Sequence, residues 1–184
     1  MKKFSLVMMV LLMSVAVCSA EFKLGAHGAY TLGGDVEDET FGPGAQVTFS
    51  GENVSLELSG TWFENEFELG GDTFDIDTFS LAATLRLGGM VSEGVNAYAG
   101  GGVNYNIFEI DEFGDDPDDE AGFHACAGVE IDMGENLELF AEYRHSWVEY
   151  TVEIDDDDDI DIEDLDADLD YEFGMARVGL NIVL

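Results

Sequence analysis

Eight ionisable side chains share a placement that could do electrostatic work. Lys23, Glu57, Arg86, Glu130, Glu138, Glu142, Arg144 and Arg177 each fall on the polar side of a segment whose other side is apolar. Opposite charges facing one another across neighbouring segments are expected to pair. In a narrow enclosed space such pairs either plug the interior or gate it by exchanging partners, and the plug is the simpler reading. A second constellation is a run of carboxylates, unbroken from Asp155 to Asp159 and continued by Asp161, Asp164, Asp166, Asp168 and Asp170. Carboxylate oxygens suit Ca2+ and Mg2+. An EF-hand register starting at Asp164 puts Met175 where the twelfth-position Glu belongs. The expectation is therefore weak divalent binding around Asp155, Asp156, Asp157, Asp158, Asp159 and Asp161 on a solvated, self-repelling loop, with no defined metal site and no other cofactor. His145 and Ser146 are adjacent, but strand neighbours point to opposite faces and cannot act together as base and nucleophile. His27 and His124 lack a metal-ligand set. No catalytic residue is assigned, and an enzyme is not expected.

The elements that must position these groups alternate with period two. Apolar residues recur at every second position in eight segments: 22–32, 44–50, 54–63, 78–88, 95–108, 122–132, 137–150 and a last one ending at Leu184. No helical period competes. Three connections are short and carry Gly or Asn turn chemistry: Gly51-Glu52-Asn53, Gly89 to Gly94 and Met133 to Asn136. Four are long and acidic: Gly33 to Gly42, Glu64 to Asp77, Glu109 to Ala121 and Thr151 to Asp170. Strict alternation of short and long connections places every long loop at one end. The pattern predicts an all-β, eight-stranded, antiparallel up-and-down barrel whose segments approach the ~9–11 residues that cross a bilayer when tilted.

The first twenty residues read as an address. Met1-Lys2-Lys3 is a positive start, Phe4 to Val17 an apolar run, and Cys18-Ser19-Ala20 a small-residue cut, which together predict a secretory signal peptide over 1–20 and one domain over 21–184. Val17 is a poor fit to the small residue that a lipoprotein cut before Cys18 would want. Cleavage after Ala20 leaves Cys126 without an intramolecular disulfide partner.

The 184-residue chain has 41 Asp+Glu against 6 Lys+Arg, a formal charge of −35. Nothing here could neutralise phosphates, which excludes a nucleic-acid binder. At 46% hydrophobic residues, global disorder is excluded too. Charge placement then decides which face meets which solvent. The recurring apolar positions are uncharged until the outer rim, where Glu149 joins His145 on the face of Leu137 to Tyr143, and all four Lys/Arg after residue 20 lie opposite them among Gly, Ala, Ser, Thr and Asn. A water-facing exterior would carry charges at a quarter to a third of positions, whereas a charge at the lipid midplane costs ~2–4 kcal/mol. The polar face is therefore expected inside and the apolar face against lipid. Tyr30, Trp62, Tyr105 and Tyr143 would then form an interfacial girdle at the long-loop end.

Phe140-Ala141-Glu142-Tyr143-Arg144 resembles the penultimate strand of small eight-stranded outer-membrane barrels of the OmpA transmembrane-domain, OmpX and OmpW type. Val178 to Leu184 resembles their terminal alternating strand, although that strand usually closes on an aromatic residue and this chain ends in Leu184. The resemblance implies a Gram-negative outer-membrane location. The implied partners are outer-membrane lipids, lipopolysaccharide and the barrel-assembly machinery, and the implied state is a monomer. The expected role is structural or surface-interactive, through acidic extracellular loops. The alternatives are a narrow pore or passive transporter of small solutes, and a soluble periplasmic barrel holding a ligand inside its apolar face. Self-repulsion among acidic loops is screened by salt. Thermal midpoints are therefore expected to rise between 10 mM and 500 mM NaCl, and to rise further with millimolar CaCl2 at matched ionic strength. An unchanged midpoint in CaCl2 rejects cation bridging.

Overall fold

The computed structural model describes residues 21–34, 40–69, 72–110, 120–152 and 167–184. The predicted signal peptide over 1–20 and the carboxylates Asp155, Asp156, Asp157, Asp158, Asp159 and Asp161 lie outside them. Eight strands follow in chain order: β1 (Glu21–Gly34), β2 (Phe41–Ser50), β3 (Val54–Leu69), β4 (Asp72–Ser92), β5 (Val95–Ile110), β6 (Glu120–Asp132), β7 (Leu137–Val152) and β8 (Ala167–Val183). Each pairs antiparallel with the next, and β8 pairs with β1, from Lys23↔Val183 to Gly34↔Phe173, to close the barrel. Closure leaves no sheet edge to face hydrocarbon.

The tight turns follow local chemistry. Gly51 N–H donates to the Val54 carbonyl at 2.8 Å, and Met133 N–H to that of Leu137 at 2.8 Å. The third turn is tighter than the expected span of Gly89 to Gly94. β4 runs on through an irregularity between Met90 and Ser92, and Ser92 pairs with Val95. Only Glu93 and Gly94 remain, with Gly94 at φ +69°, where a side chain would be strained.

The expected long loops are also partly strand. β3 and β4 stay paired from Glu64↔Asp77 up to Leu69↔Asp72, and β7 and β8 up to Val152↔Ala167. β2 begins three residues earlier than its expected start. The acids in these stretches suggested irregular loop. Yet Glu64 to Leu69 and Asp72 to Asp77 keep alternating with Phe, Ile and Leu, and once two strands are aligned each further pair adds ladder hydrogen bonds at little extra ordering cost.

Burial runs inside out relative to a water-soluble protein. Leu81, Leu85, Leu180 and Ile182 are exposed on the outer surface, while Arg86 and Arg177 are 1% exposed. This overturns the alternative of a soluble barrel with an apolar ligand cavity, because the apolar face is the outer one. The lumen is not uniformly polar either. Ala29, Phe63, Val148, Phe173 and Met175 form a buried apolar cluster at its long-loop end.

An eight-stranded lumen barely fits side chains, and inward glycines give the large ones room. A Cβ on Gly128 would lie 2.6 Å from both the Tyr98 ring and the Ala141 carbonyl oxygen; one on Gly100 would lie 3.2 Å from Cγ of Arg86. On the outer face the relation reverses, with rings covering glycines. Phe41 packs over Gly28, Phe79 over Gly60 and Tyr143 over Gly174, an arrangement that shields bare backbone in a strand. Gly128→Val is expected to destabilise the barrel by about 1–3 kcal/mol through overpacking, while Ala127→Val on the outer face changes stability by under about 0.5 kcal/mol. Urea titration in lipid vesicles distinguishes them; equal effects would contradict the assignment of faces.

Candidate functional site: the charged lumen

Alternation on each strand sends the charged residues inward, and register sets their height. Nearest the short turns, Lys23 on β1 reaches across the lumen to β6 and β7. Its Nζ donates to the Glu138 carboxylate at 2.7 and 2.8 Å and to Oε2 of Glu130 at 3.3 Å. One layer further in, Glu57 on β3 and Glu142 on β7 have no exposed side-chain surface and share three guanidiniums.

Arg86 on β4 donates through Nη2 to Glu57 and, at 2.8 Å, to Oε2 of Glu142. Arg144 reaches Oε1 of Glu57 at 2.9 Å and Oε1 of Glu142 at 3.0 Å. Arg177 donates Nη1 to Oε1 of Glu142 at 2.6 Å and to Oε1 of Glu57 at 3.0 Å. Arg86 Nη1, 3.6 Å from Oε1 of Glu130, links this layer to the Lys23 layer. All eight residues singled out from the sequence therefore lie in one connected cluster, in which four bases face four carboxylates.

Around the charges stands a shell of polar and aromatic residues, among them Gln46, Thr61 and Tyr98, which were not singled out from the sequence. Gln46 accepts from Arg177 Nη2 at 2.8 Å and donates to Oδ1 of Asn181 at 2.9 Å. Thr84 Oγ1 accepts from Arg144 at 3.3 Å and meets Nε2 of His124 at 2.9 Å. Nε2 of His27 meets Thr61 Oγ1 at 3.0 Å. The Arg86 guanidinium lies 4.4 Å from the Tyr98 ring centroid, and the Tyr98 hydroxyl donates to Oε2 of Glu142 at 3.1 Å. Phe140 is buried with its ring centroid 5.9 Å from the Arg177 guanidinium. Parity was the available signal for most of them, since His27, Thr61, Thr84, His124, Phe140 and Asn181 each share a strand face with a charge; β2 and β5 carry no charge on their inner faces, so Gln46 and Tyr98 had no such marker.

This arrangement is built to be neutral. Breaking one member of a buried ion pair leaves an uncompensated charge and costs about 3–5 kcal/mol. Chemically the cluster offers salt-bridge exchange, and two buried hydroxyl–imidazole pairs, Thr84–His124 and Thr61–His27, stand beside it; the sequence neighbours His145 and Ser146 do not form a third. Ser146 is buried in the lumen, while His145 faces outward and lies 3.6 Å from Glu172. Among the described residues no group of three or more His, Cys, Asp or Glu could hold a metal.

On the short-turn side lies an open vestibule of about 420 Å3, lined by Lys23, Glu130, Glu138 and Tyr98 and by rim acids such as Glu52 and Glu135. On the other side Asn104 and Asn106 are buried; both amide atoms of Asn104 and Nδ2 of Asn106 have no hydrogen-bond partner among the described residues.

The sequence profile of the outer membrane protein beta-barrel domain matches residues 5–173. No curated protein sequence matches the chain. Among solved structures, it is similar to neisserial surface protein A at 17% identity, covering 89% of this chain and 97% of that one with a TM-score of 0.67. It is also similar to the outer membrane protein OprG of Pseudomonas aeruginosa at 13% identity, covering 90% and 96% with a TM-score of 0.65. Ail of Yersinia pestis, solved with the heparin analogue sucrose octasulfate, shares 13% identity over 90% and 97% with a TM-score of 0.55. At these identities the likeness is one of fold.

Glu57→Gln is expected to destabilise the barrel by about 3–5 kcal/mol, since three guanidiniums then share one carboxylate. Adding Arg86→Met should return part of that loss. Urea unfolding in vesicles of the two single variants and the double variant checks this; strict additivity would mean that the pair is not coupled.

Proposed function

Because the chain belongs to the outer membrane protein beta-barrel family and resides in the outer membrane, we propose that it serves as a closed structural barrel. In this role it supports envelope integrity and presents acidic loops at the cell surface. The observation that carries this reading is the filled lumen. A balanced cluster of four bases and four carboxylates spans it, and an apolar cluster fills its long-loop end. Such a stack stiffens the barrel and opposes passage of solutes.

The charge distribution supports the surface role. Every Lys and Arg after residue 20 is in the lumen, so the loops present carboxylates without competing cations. In this reading the surface partner is cationic, either a divalent ion or a basic protein segment. The barrel acts as a monomer among outer-membrane lipids and lipopolysaccharide after delivery by the barrel-assembly machinery.

A narrow-pore reading has one observation in its favour. The vestibule and the Asn104–Asn106 level give the ion-pair layer polar surroundings on both sides. Glu57 and Glu142 also contact the same three arginines, so partners could exchange without leaving a charge unpaired. Planar-bilayer recording separates the readings. The structural reading expects silent membranes at high protein load. Steps that are present in the wild type and altered by Glu142→Gln would replace it with the pore.

A further inference from the structure

The outer face of the barrel is not a uniform cylinder of leucines. Across β3 to β6 a groove of about 540 Å3 is cut into it, walled by Leu58, Leu81, Val103, Tyr105 and Ala121, with the small Ala83 between them. Register explains the groove. Leu58 is opposite Ala83, Ala83 opposite Val103, Leu81 opposite Tyr105, and Tyr105 opposite Ala121. Two alanines thus interrupt a belt of branched and aromatic side chains at adjacent rungs, leaving a depression bounded by larger neighbours.

The groove starts at Tyr105 and Ala121 near the long-loop end and descends obliquely toward mid-depth at Leu58 and Ala83. Tyr105 is 43% exposed and stands where an aromatic ring bridges apolar and polar zones of a bilayer. A cavity of this size falls within the range that holds small ligands.

We infer that this groove is a seat for one acyl chain of a membrane lipid, held more firmly than the lipids around the rest of the barrel, with its ester end near Tyr105. The occupant follows from position. The groove is continuous with the lipid-facing belt, its walls are almost wholly apolar, and no charged side chain lines it. A straight hydrocarbon chain fills an oblique furrow better than a second convex barrel could, and gains contacts on three sides where an ordinary neighbouring lipid has one.

The test is native mass spectrometry of the full barrel released from vesicles of palmitoyl-oleoyl phosphatidylethanolamine, from vesicles containing lipopolysaccharide, and from detergent supplemented with palmitate. Wild type is expected to retain one phospholipid or lipopolysaccharide molecule. Ala83→Phe, which fills the furrow from within, should lower the lipid-bound fraction at least fivefold. Ala121→Phe narrows the upper end and should do the same, which keeps the test intact if one variant does not fold. Ala127→Phe, outward-facing but outside the groove, should leave retention unchanged. Heat-modifiable gel mobility reports that each variant is folded. Equal retention in wild type and both groove variants would overturn the inference. So would retention of palmitate alone, or a dimer that the groove variants abolish.

Discussion

Two carboxylates, Glu57 and Glu142, hold three guanidiniums in a space closed to bulk water on every lateral side, and the rest of the barrel is arranged to make that possible. Hydrocarbon outside the wall offers no hydrogen-bond partner, so charge is tolerated only on the inner face. Inside, an eight-stranded circumference leaves little volume. Charged groups therefore cannot keep full hydration shells and must solvate one another. The chain meets this constraint with near-perfect local compensation: Arg86, Arg144 and Arg177 around Glu57 and Glu142, joined through Glu130 to Lys23 and Glu138.

That compensation dictates the composition of the wall. Long arginine side chains need backbone at close range without intervening Cβ atoms, which places glycine at Gly100, beside Arg86, and at Gly128, beside Tyr98. Outside, the same freedom from side chains would leave the backbone bare, and the rings of Phe41, Phe79 and Tyr143 cover it. Glycine thus serves opposite purposes on the two faces, as space for charge within and as a bed for aromatic rings without. At the groove around Ala83 small outer residues are bordered by larger side chains instead of being covered by a ring.

Charge is also partitioned along the axis. The lumen contains every Lys and Arg after residue 20 and a matching set of acids, so the large negative excess belongs to the rims and loops. The paired charges of the lumen and the unpaired carboxylates of the rims and loops are in this way kept apart in space. Toward the long-loop end the ionic layer is followed by the apolar cluster of Phe63, Val148, Phe173 and Met175.

The strand faces were legible in the sequence because period-two alternation is a local property, and because a charge such as Arg86 or Arg177 reports which face avoids lipid. The same reasoning marked all eight members of the ionic cluster. Which acid meets which base was not legible. Pairing across the lumen joins residues as far apart as Lys23 and Glu138, and depends on register summed around eight strands and on the closure of β1 against β8. Tyr98, Gln46 and Phe140 escaped notice because uncharged side chains on the inner face carry no local sign of what they touch. The extended hairpins at Leu69 and Val152 were hidden by their acids, which resemble loop composition although the alternation continues through them. The sequence by itself determined the two faces, the eight strands and the neutrality of the inner set, since each follows from neighbouring residues. Only the closed tertiary structure decided the partners, the apolar cluster and the outer groove, because each is made by residues that curvature and register bring together from distant strands.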